Sequence, residues 1–206
     1  VGSEMCIRDS SKGKGVRKGY LWVVVGINTR MIYLLYDDGS RSEKVILNEL
    51  GGCKGIIQSD GYSPYRKLES DAYPHITRIP CLQHIKRKFI DCGEDEPDAK
   101  RIVELINTLY QNEHKHKIGV DGWTVEQNLV HRKKYAPDIL GEIKDVLDDI
   151  EERGDLLPKS ELKEAVTYLR NEWNAVVDIF NYGDTYLDNN IVERLSLIHI
   201  SEPTRP

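Results

Sequence analysis

The sequence predicts a mixed α/β chain in which a sheet of short strands is interrupted by a large all-helical stretch. Between residues 19 and 92, short runs rich in β-branched and aromatic residues alternate with helix signals in the order β-β-α-β-α-β-α. From about residue 94 to 160, apolar residues recur only at helical spacing. No apolar run approaches the roughly 18 residues that a membrane span needs.

Each element has its own signal. GYLWVVVGI (19–27) reads as a buried strand and MIYLLY (31–36) as a second, with turn residues Asn28 to Arg30 between them. DDGS (37–40) is a turn, and Ser40 is a candidate cap for a helix through about Glu49. GIIQSD (55–60) is a short apolar strand ending on Asp60. Ser63 followed by Pro64 predicts an N-cap and first helical position, with a helix to about Ser70. HITRIPC (75–81) reads as a strand and LQHIKRKFIDC (82–92) as a short basic helix. Beyond it, Ile102, Leu105, Ile106, Leu109 and Tyr110 follow helical spacing, as do Leu129 and its neighbours, then Ile139, Ile143, Val146, Leu147 and Ile150. GDLLPKS (154–160) is a break. Ser160 opens a helix with Leu162, Ala165, Val166, Leu169, Trp173, Val176, Val177 and Phe180 on one face. NYGDTYLDNN is a turn region, and a last helix starts near Ile191.

The two ends carry a signature that belongs to DNA. Residues 1–10, VGSEMCIRDS, back-translate to GTG GGC TCG GAG ATG TGT ATA AGA GAC AGN. The reverse complement of that string encodes LSLIHISEPT, which is residues 195–204. Folding gives two ends no reason to be reverse complements, whereas sequencing adapters flanking an insert do. Residues 1–10 also lack the apolar centre of a signal peptide. The expectation is that 1–10 and 195–206 are translated adapter outside the fold, and that Ser11–Arg194 is a natural segment cut at both ends.

The chain has 29 basic and 34 acidic residues and a net charge of −5, and setting the ends aside leaves about −4. That excludes a generally basic nucleic-acid binder, so any DNA contact must come from local patches. SKGKGVRK (11–18), KRK (86–88) and HRKK (131–134) are candidates, though each taken singly reads first as solvated surface. Outside the ends there are three cysteines, Cys53, Cys81 and Cys92; an odd count argues for reduced thiols and a cytoplasmic setting.

Few residues are placed to do chemistry. Asp60 ends a buried strand, where α/β sheets gather their ligands and where a carboxylate can hold a divalent cation. Taken alone, Asp60 is read first as part of an Asp-Gly turn. Glu193 lies three residues after Asn190, a capping-box spacing. Cys81-x-x-His84 has half of a zinc site's spacing, without a second pair to match. Tyr62 and Tyr65 flank the Asp60 turn and are candidates to line a site.

GIIQSDGYSPY (55–65), IPCLQHIKRKF (79–89), LINTLYQNEHK (105–115) and EAVTYLRNEWNAVVDIFNYGDTYLDNNIVER (164–194) together resemble the insertion sequence 66 family of bacterial transposases. Motif order and spacing match over essentially all of Tyr20–Arg194, and the D-G-Y and D-N-N-x-x-E-R blocks are the specific ones.

The resemblance implies a ribonuclease-H-like mixed sheet with an Asp-Asp-Glu triad. Residues 11–93 would form the first part of the catalytic core, 94–160 a helical insertion and 161–194 the return to the core. Asp60 matches the family's second Asp and Glu193 its Glu. The first Asp would lie upstream, at the end of a first central strand expected to be missing by truncation. The implied activity is DNA cleavage and strand transfer with two Mg²⁺ ions, or Mn²⁺, about 3.5–4 Å apart. His84, Lys86, Arg87, Lys88 and Arg194 would contact DNA phosphates, making binding salt-sensitive. The implied partners are element ends and target DNA, further copies in a transposition complex and accessory proteins of the same element, with no membrane. The truncated segment is expected to be unstable and inactive alone. Two alternatives stay open: a catalytically dead DNA-binding or interaction module from a decayed element, and a zinc-stabilised module using Cys81 and His84.

Overall fold

The computed structural model describes residues 2–9, 17–27, 29, 31–37 and 43–192. Strands β1 (Gly2–Asp9), β2 (Arg17–Gly26), β3 (Met31–Asp37), β4 (Gly55–Ser59) and β5 (Ile76–Pro80) form one sheet in the order β3-β2-β1-β4-β5. Helices α1 (Glu43–Leu50), α2 (Leu82–Ile90), α3 (Pro97–Glu113), α4 (Val125–Arg153) and α5 (Glu161–Ile179) outweigh the strands. The protein is thus mixed α/β with a helical majority. It divides into two compact units, residues 1–79 with 189–206, and residues 80–188.

In the first unit, β2 alternates two apolar faces. Trp22 packs with Ile46, Leu50, Ile57, Tyr65, Leu68 and Ile76. Val23 and Val25 face the other way and pack with Val192 and Ile27. A strand buried on both faces loses the polar alternation of a surface strand, which is why GYLWVVVGI reads as a continuous apolar run.

The central place, where a missing strand is expected, is occupied in the sheet by residues 2–9. β1 fills that place, antiparallel to β2 from Gly2↔Val24 to Asp9↔Arg17 and parallel to β4 at Gly2↔Ser59. On its other side β2 pairs with β3 from Tyr20↔Asp37 to Gly26↔Met31. Buried peptide groups need partners, and an extended segment just upstream of β2 supplies them whatever its side chains.

The predicted helix after Ser63 is a 3₁₀ segment, Ser63–Glu69, with Tyr62 in the cap position and no side-chain cap bond. Its anchors, Tyr65 and Leu68, are three residues apart and both buried. Three residues per turn aligns that pair better than an α-helix would. Ser40, the candidate cap for α1, lies outside the described residues.

In the second unit α3 packs on α4, and α2 packs on both α3 and α5. Leu82, Ile85 and Phe89 form the buried stripe of α2. The separate periodic runs of residues 125–153 join into one helix that continues through Pro137. Proline removes a helical N–H and crowds the preceding turn. Buried Ala136, Ile139, Leu140 and Ile143 flank it and hold the helix together. A Thr124–Gln127 capping box opens α4 and Gly154, at φ +64°, closes it. Ser160 caps α5 by accepting the Lys163 N–H at 3.2 Å.

Candidate functional site

Asp60 follows the last residue of β4 and is half-buried. Its Oδ1 accepts the Tyr62 N–H at 3.1 Å, closing an Asx turn that fixes the carboxylate on the strand end. The Tyr62 ring packs on Trp22 and Tyr65, with centroids 6.5 and 6.3 Å away. Tyr65 is a core residue, 1% exposed, so it anchors the turn rather than lining a site. Behind the turn, Ser59 Oγ donates to the Asp60 carbonyl at 2.9 Å. Buried Arg78 on β5 donates to Ser59 Oγ at 3.4 Å and to Glu69 at 2.5 Å. Asp60 therefore has a rigid backbone and a strand-end position.

The segment between α5 and Asp188 is held by a network that sequence reasoning missed. HRKK (131–134) was a candidate surface patch, yet Arg132 is fully buried. Its Nε donates to the two Glu113 oxygens at 3.2 and 3.0 Å, and Nη2 pairs with the same carboxylate. Nη1 donates to the carbonyls of Ile179 at 3.2 Å and Tyr182 at 2.5 Å, and to Thr185 Oγ1 at 2.6 Å. Nη2 also donates to the Thr185 carbonyl at 2.7 Å. Asn128 Nδ2 donates to the Gly183 carbonyl at 2.8 Å, and the Leu82 N–H to the Leu187 carbonyl at 2.8 Å. The irregular segment between α5 and Asp188 is thus tied down along its length. The available signal was periodicity: Asn128, Arg132, Ala136, Ile139, Ile143, Leu147 and Ile150 fall on one face of α4.

Burial pushes the Glu113 carboxyl upward, but Arg132, Tyr135 and Asn128 more than offset this, and its pKa falls below the ordinary 4.5. Burial raises the Tyr110 phenol well above its ordinary 10, and the Asp188 carboxylate of the D-N-N block adds to the rise. A helix begins at Asn190, one residue earlier than expected, and the Val192 N–H donates to the Asn189 carbonyl at 2.9 Å. Glu193 and Arg194 lie outside the described residues.

The other candidates sit on α2. His84 and Lys86 are half-buried, while Arg87 and Lys88 are exposed in its last turn, where cations also favour the helix dipole. Cys81, buried ahead of α2, and His84 gather no third ligand: among the described residues no three His, Cys, Asp or Glu side chains form a metal-holding group. No described helix is long and apolar enough to cross a membrane.

Comparison with known proteins gives this arrangement its context. The family described as Transposase IS66 matches residues 5–195, which puts the chain among transposases. The chain belongs to the IS66 transposase family. It is 28% identical over 162 residues to the uncharacterized protein y4jD of Sinorhizobium fredii (strain NBRC 101917 / NGR234), covering 75% of this chain and 30% of that protein. It is 26% identical over 192 residues to the uncharacterized protein y4qI of the same strain, covering 86% of this chain and 34% of that protein. The chain thus spans about a third of the length of these curated relatives.

Proposed function

We propose that this chain is a catalytic-core segment of a bacterial DNA transposase that cleaves DNA at element ends and joins it to a target. The observation that carries the reading is Asp60, held at the carboxyl end of β4 by its own turn, in a chain of the IS66 family. A ribonuclease-H-like reading of the sheet is supported by its order, with β1 antiparallel to β2 and parallel to β4.

Asp60 and Glu193 serve as two carboxylates of the Asp-Asp-Glu triad. Asp60 fits a hard divalent cation: its oxygens are the donors that Mg²⁺ and Mn²⁺ favour, and the Tyr62 N–H at 3.1 Å orients the carboxylate while leaving lone pairs on it. Bound metal would stabilise negative charge on the phosphate during in-line displacement. Arg87, Lys88 and Arg194, with His84 and Lys86, are proposed DNA contacts, and the setting is cytoplasmic.

The test uses the full-length parent. Asp60→Asn and Glu193→Gln should each abolish metal-dependent cleavage and strand transfer while leaving DNA affinity within about twofold, because neither removes a phosphate-binding cation. Cleavage retained by either variant would refute its place in the triad. A parent that binds DNA but never cleaves it would point instead to a decayed element.

A further inference from the structure

The connection between α3 and α4, His114–Thr124, is longer than the roughly 2–8 residues that usually join packed helices. It is also ordered by its own contacts. His116 stacks on Trp123 with centroids 3.8 Å apart and planes 13° apart. His131, from the second turn of α4, sits edge-on to both, at 5.3 and 6.1 Å. Trp123 Nε1 donates to Asn128 Oδ1 at 3.3 Å, which ties the loop base to the Glu113–Arg132 network. Within the loop, Gly119 N–H donates to the Trp123 carbonyl, Val120 N–H to Lys117 and Trp123 N–H to Val120, all at 2.9–3.0 Å. Gly119, Asp121 and Gly122 take left-handed φ values of 80°, 50° and 75°, which allow the tight reversal.

This frame holds an apolar tip in solvent. Ile118 is 45% and Val120 50% exposed. Lys115 and Lys117 flank the tip, and Lys133 and Lys134 are exposed on the adjoining turns of α4. Among the described residues none of these lysines forms an ion pair; the Lys115 ammonium donates to the Asn112 amide oxygen at 2.8 Å. The acids of the same stretch are Asp121 and Glu126, so the region is locally positive within a chain of net charge −5.

We propose that the α3–α4 loop is a DNA-contact element in which Lys115 and Lys117 seat on phosphates and Ile118 and Val120 wedge against the bases. Charge complementarity selects DNA: a small apolar tip between unpaired cations suits a duplex that pays unstacking energy for backbone contacts. The proposal rests on the reading that the protein works on DNA, but it concerns binding and needs no chemistry.

The test uses the purified chain in EDTA, with a fluorescein-labelled duplex for affinity and a 2-aminopurine duplex for base unstacking. Lys115→Ala with Lys117→Ala should weaken binding about tenfold at low salt and reduce the salt slope by about two. Ile118→Ser with Val120→Ser should keep the salt slope and lose the 2-aminopurine fluorescence rise. Both double variants alter exposed positions, and unchanged circular dichroism and melting would verify their folding. Wild-type behaviour in both, or no DNA binding by the wild-type chain, overturns the proposal. So does a loop variant that changes only self-association, which would make the tip a protein contact. Cleavage retained by Asp60→Asn in the parent, with binding lost in the loop variants, would sink the catalytic reading and leave this one standing.

Discussion

Arg132 ties distant parts of the second unit together. It is a guanidinium with no exposure, and its hydrogen bonds reach α3 and the segment after α5. Removing one partner of a buried pair leaves the other uncompensated, so Arg132→Met should lose about 3–5 kcal/mol in urea unfolding. Arg132→Met combined with Glu113→Leu should recover only part of that loss: no lone charge remains buried, but the Ile179, Tyr182 and Thr185 carbonyls lose their donor. The pair also sets an acid limit. The folded-state pKa of Glu113 lies below the ordinary 4.5, so its contribution to stability is fully present above 4.5 and is lost as pH falls below that value toward the folded pKa. Glu113→Gln should be less stable at pH 7 and should show a flatter loss of stability below 4.5 in the same unfolding series. None of this follows from HRKK read as a charge run. A basic string is ordinarily solvated, and only the distant partners Glu113, Tyr182 and Thr185 make burial of its arginine affordable. Asp60 was legible because the signal is local: an apolar strand, then Asp-Gly, is enough to predict a carboxylate at a strand end.

Two glycines separate two physical demands at the level of elements. Gly154 ends α4 at φ +64°, and a Cβ there would meet nothing within 4 Å. Its requirement is conformational, so Gly154→Ala should cost about 1 kcal/mol and Gly154→Asn less, since Asn tolerates that region. Gly183 has the opposite problem. A Cβ there would come within 2.1 Å of the Val125 carbonyl oxygen, a backbone atom that cannot swing aside. Gly183→Ala and Gly183→Asn should both be destabilising, by about 1–3 kcal/mol, and thermal melting of the four variants distinguishes the two causes. Element existence was legible wherever the signal was periodicity or capping, as for β2 to β5, α2 and the Ser160 start of α5. It failed where tertiary packing chose between local options. The spacing of Tyr65 and Leu68 made a 3₁₀ segment from an expected α-helix, and packing on both sides of Pro137 kept α4 whole. The Gly183 contact was not legible, because its partner, Val125, lies at the start of a helix far away in the sequence.

At the scale of the whole molecule, the sheet depends on its centre, and the centre is β1. Sequence reasoning set residues 1–10 aside because their nucleotide complement recurs at residues 195–204. That argument concerns the origin of the residues, whereas pairing asks only for an extended backbone beside β2. Position in the sheet therefore could not be read from the side chains of residues 2–9. If β1 contributes through its peptide groups, the damaging substitution is the one that removes a donor. Met5 lies opposite Leu21 in the antiparallel ladder. Proline lacks the N–H and is confined to sheet edges, so Met5→Pro should break the central strand, while Met5→Val should be tolerated. Hydrogen exchange followed by mass spectrometry reads the result unit by unit. In Met5→Pro, amides of β2 should lose protection by about tenfold or more, because β2 keeps only β3 as an intact neighbour, while β4, paired with β1 only at Gly2↔Ser59, should change less. Amides of α3 and α4, which pack on one another within the second unit, should exchange as in the unsubstituted chain. Unchanged β2 protection in Met5→Pro would mean that β1 lies on the sheet without supporting it, and that β2 and β4 are held by their side-chain packing alone.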